Sequence, residues 1–258
     1  MSLATRAVYP SQPTPLRQHL DVLLQGTEAS DGEGILVGLI VPDSNRLSGG
    51  PASAQAYSRL RGIEVETVIV ISPSHDGSFG RLSICQTDTY RTPLGDVAVN
   101  DHLRNELCDE DDDIYLDDTG HYHTEGADVQ IPFLQVVLGD GFSVVPIVMG
   151  EESPAFCREL GAAVGEVMHG RRALVVGSCD LLHADAEGLA RLREAVEAFD
   201  ESALMHLLGS ETVGIEGMGA LITTLIATRR RGASRAEILS LTAPDADAPG
   251  TLAVALWR

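Results

Sequence analysis

Four short apolar runs, each ending in polar residues, constrain the fold more than any other feature of the sequence. They are GILVGLIVP (34–42), TVIVISPSH (67–75), FSVVPIVMG (142–150) and RALVVGSCD (172–180). Runs of this length and composition are typical of strands buried on both faces of a sheet. Helical patterns lie between them, and a last apolar run follows near the C-terminus. The alternation predicts the α/β class: a single three-layer αβα domain with a mostly parallel or mixed central sheet.

The segments between these strands carry helix signals. Ser153 is a candidate N-cap with Pro154 at the first helical position, Pro132 must lie in a first turn or at a kink, and a break is expected near Asp200. We predict one domain over residues 1–258, with the N-terminal segment 1–33 packing on it. Helices are predicted at 51–60, 101–107, 128–138, 153–168, 189–208 and 217–232, a strand with a turn at 81–96, a solvated loop at 108–118 and a last strand at 251–257.

The charge balance narrows the classes of partner. The chain has 18 basic residues, all arginine, and 38 acidic residues, for a net charge of −20. Such a surface opposes non-specific binding to nucleic acid and to anionic membranes. The N-terminus lacks an apolar signal core, and no apolar run approaches membrane-spanning length, so we expect a cytoplasmic protein. The four cysteines are far apart and are expected to be reduced thiols.

Polar residues directly after the apolar runs are the candidates for chemistry, because the carboxyl ends of parallel strands meet at one edge of the sheet. Asp43 could be a metal ligand or a turn residue. His75 could bind metal, act as a base, or cap a loop. Asp180 and His183 would share a face if a helical turn begins there, although Asp180 also suits an N-cap. Cys179 could be a nucleophile but is more typical of a small buried apolar residue.

A second cluster, HYHTE, contains His121, His123 and Glu125. Alternate histidines can chelate a metal ion in an extended segment, but a solvated loop is the competing interpretation. Two histidines and a carboxylate form the facial triad of non-haem iron sites, and Asp43, His75 and His183 could supply one. The same set could hold zinc for hydrolysis.

Seven short motifs follow one another along the chain: AVYP (7–10), IVPDSNRLSGGPASAQAY (40–57), SPSH (72–75), TPLGDVAVN (92–100), ADVQIPFLQ (127–135), VVPIVMG (144–150) and SCDLLH (178–183). In order and content they resemble motifs of the MEMO family, also called AmmeMemoRadiSam system protein B. The resemblance spans nearly the whole chain. It implies a fold similar to that of class III extradiol ring-cleaving dioxygenases, which use a non-haem iron site.

The resemblance also implies a cleft lined by histidines of the family's PHAG, GPSH, EHSIE and SSDxxH motifs, and by a cysteine of a late CG motif. His75 stands at the GPSH histidine, and Asp180 and His183 stand at the matching positions of SSDxxH. These positions keep the residue types that the family has.

Other positions depart from the family pattern. Asp43 replaces the PHAG histidine, and Met218 replaces the cysteine of the CG motif. Glu125 falls on the EHSIE histidine if no gap is allowed, and His123 could substitute if the loop has shifted. Carboxylates in place of histidines retain metal-binding ability but favour metal ions that prefer oxygen ligands. The sequence therefore predicts either a divergent metal site, formed by Asp43, His75 and His183 or Glu125, or loss of the metal.

Three functional hypotheses follow. The first is a metal-dependent enzyme, either a dioxygenase-like oxidoreductase or a hydrolase, with iron or zinc as cofactor and a small molecule in the cleft. In it His183 is a ligand or acid–base partner, and Asp180 orients it. The alternative is a non-catalytic binding or accessory protein that holds a small molecule or peptide, or acts beside a partner protein. A third is a metal-free hydrolase based on Cys179 and His183 or on a serine.

Overall fold

The fold was analysed in a computed structural model, which describes residues 9–27, 34–43, 47–75, 77, 79–108, 114–121, 126–208, 210 and 212–258. Its strands are β1 (Leu36–Val41), β2 (Thr67–Pro73), β3 (Leu82–Ile84), β4 (Thr89–Thr92), β5 (Gly95–Val99), β6 (Ile114–Leu116), β7 (Ser143–Met149), β8 (Ala173–Ser178), β9 (Asp180–Ala184), β10 (Val213–Glu216), β11 (Arg235–Leu241) and β12 (Leu252–Trp257). Its helices are α1 (Pro13–Gln25), α2 (Gly50–Ser58), α3 (Asp101–Cys108), α4 (Gly126–Leu138), α5 (Pro154–Val167), α6 (Ala186–Ala198), α7 (Glu201–Leu208) and α8 (Met218–Arg230).

The central sheet is mixed, with a parallel core. Its strand order is β11-β12-β1-β8-β2-β7-β3-β6, and the β4–β5 hairpin joins it through β7. The four apolar runs predicted as strands become β1, β2, β7 and β8, and neighbours among these four pair in parallel. Because these strands run in the same direction, their carboxyl ends all emerge at one edge. The predicted α/β class is confirmed.

Helices cover both faces of this sheet and form two apolar layers. Successive β2 residues alternate between the layers, as the pleat of a strand requires: Val68 and Val70 face the layer of α1, α2 and α4, whereas Ile69 and Ile71 face that of α5, α6, α7 and α8. The architecture is therefore three layers, helix–sheet–helix. No helix in the described ranges combines the length and the apolar character needed to span a bilayer.

Several local predictions are refined by the structure. Helix α4 begins at Gly126, so Pro132 lies in its interior rather than in its first turn. The predicted break near Asp200 is present, because Phe199 adopts a left-handed conformation (φ 52°) that ends α6. Residues 81–96 contribute to three strands, β3 to β5, rather than to one strand with a turn. Residues 114–116 of the predicted acidic loop form β6, and residues 109–113 lie outside the described residues.

Helix α1 packs on the domain through one face. Leu16, Leu20 and Leu24 recur every four residues and are buried against α2 and α4. The opposite face is open, and Val22 is 68% exposed. The segment preceding β1 is therefore part of the apolar layer over its described residues.

We expect Leu20→Ala to lower the free energy of unfolding by about 2–5 kcal/mol, because it removes a fully buried side chain and leaves a cavity. Val22→Ala on the exposed face of the same helix should change it by no more than about 0.5 kcal/mol. Urea denaturation followed by circular dichroism measures both. Equal effects of the two substitutions would contradict the packing of α1 described above.

Candidate active site

Three side chains meet where the parallel strands β1, β8 and β2 end. Asp43 follows β1, Ser178 is the last residue of β8, and His75 follows β2. Strand β8 lies between the other two in the sheet. The topology therefore brings together residues that are far apart in the sequence, at the edge where the sequence predicted a site.

Asp43 and His75 form the polar centre of this edge. Asp43 Oδ2 lies 2.7 Å from His75 Nε2, and the hydroxyl of Ser178 donates a hydrogen bond to Asp43 Oδ1. The Asp43 side chain is buried, whereas 18% of the His75 side chain is exposed. Since a carboxylate only accepts hydrogen bonds, the pairing assigns a proton to Nε2.

Asp180 supports the backbone of Asp43. Its Oδ1 accepts a hydrogen bond of 3.0 Å from the Asp43 amide, and its side chain is buried. The predicted helical turn at this point is wrong, because Asp180 and His183 lie on strand β9. The β9–β10 ladder shifts register between the two residues, with Asp180 opposite Glu216 and His183 opposite Gly214. Asp180 is buried whereas His183 is exposed.

His183 lies on the outside of the two-stranded β9–β10 sheet. It is exposed, and its ring packs directly over Gly214 of β10, where a Cβ atom would lie 2.1 Å from the ring Cε1 atom. The glycine therefore makes room for the imidazole. The proposed roles of His183 as ligand or acid–base partner, and of Asp180 as a catalytic residue, stay predictions.

A buried hydrogen-bond network fixes the end of β1. Gln130 of α4 donates from Nε2 to the carbonyl of Pro42 at 2.9 Å, and Tyr57 of α2 donates to Gln130 Oε1 at 2.9 Å. All three groups are shielded from solvent. Helices α2 and α4 thus hold the residue immediately before Asp43.

The first residue of α4 approaches the site very closely. A Cβ atom at Gly126 would lie 2.2 Å from Ser72 Cβ and 3.0 Å from Asp43 Oδ1. Only glycine fits between them, so Gly126 sets how near α4 comes to the sheet. The Ser72 hydroxyl is also buried here, without a hydrogen-bond partner among the described residues. Sequence reasoning missed both residues, because a close approach between distant segments leaves no local signal.

Glu152 is a half-buried residue at this edge, three residues beyond the end of β7, and its Oε1 atom is shielded from solvent. Burial raises its pKa to about 7, assisted by the negative charges of Asp43, Glu216 and Glu151 and opposed by a hydrogen bond from the Gly219 amide. The amide lies 3.2 Å from Oε2. Sequence reasoning stopped at Gly150, although the position of Glu152 just beyond an apolar run was the available signal.

Cys179 and Met218 are packing residues in this arrangement. Burial, together with the charges of Asp180 and Asp43, holds the pKa of the Cys179 thiol well above its usual value. A thiol that stays protonated is a poor nucleophile. Met218 is the buried first residue of α8 and belongs to the apolar layer of that face. The interpretation of Cys179 as a small buried residue therefore fits the structure better than the cysteine hydrolase.

The described residues supply part of a metal site. Asp43 and His75 bring a carboxylate oxygen and an imidazole nitrogen within 2.7 Å of each other, and both donor types suit iron and zinc. Within the described ranges, however, no group of three histidine, cysteine, aspartate or glutamate residues is placed to hold a metal ion. Glu125 and His123 lie outside the described residues. By themselves, the described residues do not complete a metal site.

His121 of the HYHTE cluster has a structural role. Its Nε2 atom donates a hydrogen bond of 3.1 Å to the carbonyl of Ser83 on β3, and burial lowers its pKa. The ring is therefore largely neutral. Because it is hydrogen-bonded to the backbone of β3, it fixes the preceding loop against the sheet.

Glu152 makes stability depend on pH. Its pKa is about 7 in the folded protein against 4.5 as the ordinary value, so the folded form binds more protons between these two values. The stability that this proton contributes is present below pH 4.5 and is lost as the pH rises through 7. Across this interval we expect wild type to lose ~3 kcal/mol more than Glu152→Gln does. Urea denaturation at a series of pH values measures it, with the exposed Glu197→Gln as control; parallel curves for wild type and Glu152→Gln would contradict the raised pKa.

Comparison with known proteins agrees with this architecture. A family model described as Memo-like protein matches residues 2–255. The MEMO1 family protein MK0963 of Methanopyrus kandleri is 29% identical over 250 residues, which cover 90% of this chain and 87% of that protein. A MEMO1 family protein of Ignicoccus hospitalis is 31% identical over 211 residues, which cover 79% of this chain and 74% of that protein.

Among solved structures, the uncharacterized protein JW3007 from Escherichia coli K12 is similar in fold. The TM-score is 0.56 at 12% sequence identity, and the match covers 86% of this chain and 99% of that one. At this identity the likeness concerns the fold alone. The family model extends over nearly the whole sequence and agrees with the curated relatives, and the chain therefore belongs to the Memo family.

Proposed function

We propose that this member of the Memo family is an enzyme that acts on a small molecule, and that the Asp43–His75 pair is its general acid–base centre. The observation that carries the proposal is the 2.7 Å contact between Asp43 Oδ2 and His75 Nε2 at the carboxyl edge of the sheet. This is the edge at which open α/β sheets bind ligands.

The surroundings of the pair support a catalytic role rather than a loop-capping one. Asp43 is buried, and its second carboxylate oxygen accepts from Ser178, so the carboxylate is fixed in position. An aspartate held against one ring nitrogen orients the imidazole and stabilises the imidazolium that forms when the ring accepts a proton. The exposed part of the His75 ring gives a substrate access to it. Asp180 acts through the Asp43 backbone, which makes it a positioning residue.

A metal-dependent form of the same site is the second candidate. The convergence of one carboxylate oxygen and one imidazole nitrogen supports it, because these are two of the three ligands of a facial triad. Asp43 and His75 would hold the ion, with Glu125 or His183 as the predicted further ligand. A divalent iron or zinc ion bound there would supply Lewis-acid chemistry and an activated water. In that form Asp43 would bind the metal ion rather than the Nε2 proton of His75.

The first test is a search for turnover. The untagged protein is incubated with a polar metabolite extract, and depleted and newly formed compounds are followed by mass spectrometry. We expect wild type and the exposed-histidine control His169→Gln to convert the same compound. His75→Gln and Asp43→Asn should convert it about 10²-fold more slowly or worse, because a general base contributes at least that factor. Equal turnover by His75→Gln, or no turnover by wild type, would contradict the proposal, and tight retention of an unchanged compound would favour the binding-protein alternative.

Metal content separates the two catalytic candidates. Elemental analysis of protein purified without a histidine tag or chelator measures it, before and after anaerobic reconstitution with Fe(II) and Zn(II). If proton transfer occurs without a metal, we expect the protein to contain less than about 0.1 equivalent of iron or zinc, and turnover to survive treatment with a chelator. Near-stoichiometric iron or zinc that is lost in His75→Ala and retained in His169→Ala would instead establish the metal-dependent form.

A further inference from the structure

We propose that Glu152 is the second proton-transfer group of this site, which donates a proton to the substrate while the Asp43–His75 pair accepts one. The inference rests on the proposed function and assigns a role to a residue that neither the motifs nor the acid–base pair includes. Its grounds are the position of Glu152, its contacts and the charges around it.

The sheet places Glu152 and His75 at the same part of its edge. Strands β2 and β7 are parallel neighbours, and the last residues of the two strands, Pro73 and Met149, are paired. The Ser74 amide completes this pair by donating a hydrogen bond of 3.1 Å to the carbonyl of Met149. His75 and Glu152 then follow on two backbones that are about 4.8 Å apart where they leave the sheet. Both residues therefore belong to the same part of the edge.

The contacts of Glu152 leave one oxygen for a proton. Its Oε2 accepts from the Gly219 amide, and its Oε1 is buried with no hydrogen-bond partner in the described ranges. A Cβ atom at Gly219 would lie 2.8 Å from Glu152 Cγ, so the glycine allows this close approach to the start of α8. A buried carboxylate oxygen without a partner is costly, whereas a carboxylic acid needs one acceptor for its O–H. A polar atom of a substrate would meet that need.

The charges that face Glu152 have one sign. Asp43 beyond β1, Glu216 of β10 and the neighbouring Glu151 all act on it as negative charges. From α5, the thiol of Cys157 donates to the Glu152 carbonyl and is itself neutral, since burial and Glu152 raise its pKa to about 12. No arginine forms an ion pair with Glu152 in the part of the chain that the structure describes. The surroundings therefore raise the pKa of Glu152, so that about half of the acid is protonated at neutral pH.

A complete acid–base set needs one group that can accept a proton and one that can donate a proton, and His75 and Glu152 supply the two. His75 takes a proton from one atom of the substrate, and the bonding pair stays on the substrate. The Glu152 O–H bond breaks, and its proton goes to the substrate atom that gains electron density, which leaves Glu152 as a carboxylate and His75 as an imidazolium. The substrate has lost one proton and gained another, so the total number of protons is unchanged. Transfer of a proton from His75 to Glu152 through solvent restores the starting protonation states of the two residues.

Nuclear magnetic resonance tests the protonation of Glu152 directly. Protein labelled with ¹³C in its glutamate carboxyl groups is titrated, and Glu152→Gln identifies the signal. We expect the Glu152 carboxyl of wild type to titrate near neutral pH. The control Glu197→Gln, which loses an exposed α6 carboxylate, should leave the Glu152 midpoint unchanged.

A Glu152 carboxyl that is fully ionised at pH 6 would overturn the inference. The midpoint is read on wild type, and the variant serves only to assign the signal. In the turnover assay, Glu152→Gln should lower kcat at least about tenfold with little change in KM and remove the decline of rate at high pH. Turnover that needs His75 but not Glu152 overturns this inference alone, whereas absence of all turnover overturns the proposed function.

Discussion

The burial of the Asp43 carboxylate is the constraint on which the rest of the site depends. An ionised carboxylate taken out of water costs several kcal/mol unless hydrogen bonds replace its hydration. Here the replacements come from His75 and Ser178, at the ends of two other strands. The backbone at Asp43 is held in turn by Asp180, and the preceding carbonyl by Gln130. None of these partners is close to Asp43 in sequence, so the site forms only once the parallel core of the sheet is complete.

This dependence explains which parts could be predicted from the sequence. The runs that become β1, β2, β7 and β8 are recognisable because a strand covered on both faces has to be apolar throughout. Parallel pairing then obliges the residues that follow them to share an edge. Asp43 and His75 could be selected on that ground alone. The start of α5 followed from Pro154, although the Ser153 side chain makes no capping hydrogen bond. Helix α6 begins three residues before its predicted start, with Asp185 as N-cap, and Pro132 is tolerated inside α4.

The remaining features depend on contacts that leave no local trace. Strand β9 exists because β10, some thirty residues later, pairs with it in an antiparallel ladder; read alone, its sequence suited a helical turn equally well. Gly126 matters through the space it leaves between Ser72 and Asp43. Glu152 resembles any surface glutamate until burial against α8 removes its hydration. Residue type could therefore indicate candidates, but the protonation states and the pairing came from tertiary contacts.

The aromatic packing over α4 extends the supports of the site to the N-terminal end of the described chain. The Tyr9 ring meets Phe133 edge-on at 5.9 Å, and Phe133 stacks on Tyr57 at 4.9 Å. Tyr57 in turn donates the hydrogen bond that orients Gln130 beneath Pro42. Tyr9 is thus joined to the acid–base pair by a continuous series of rigid contacts. The Tyr9 ring therefore braces, through Phe133, Tyr57 and Gln130, the backbone that carries the carboxylate at the far end.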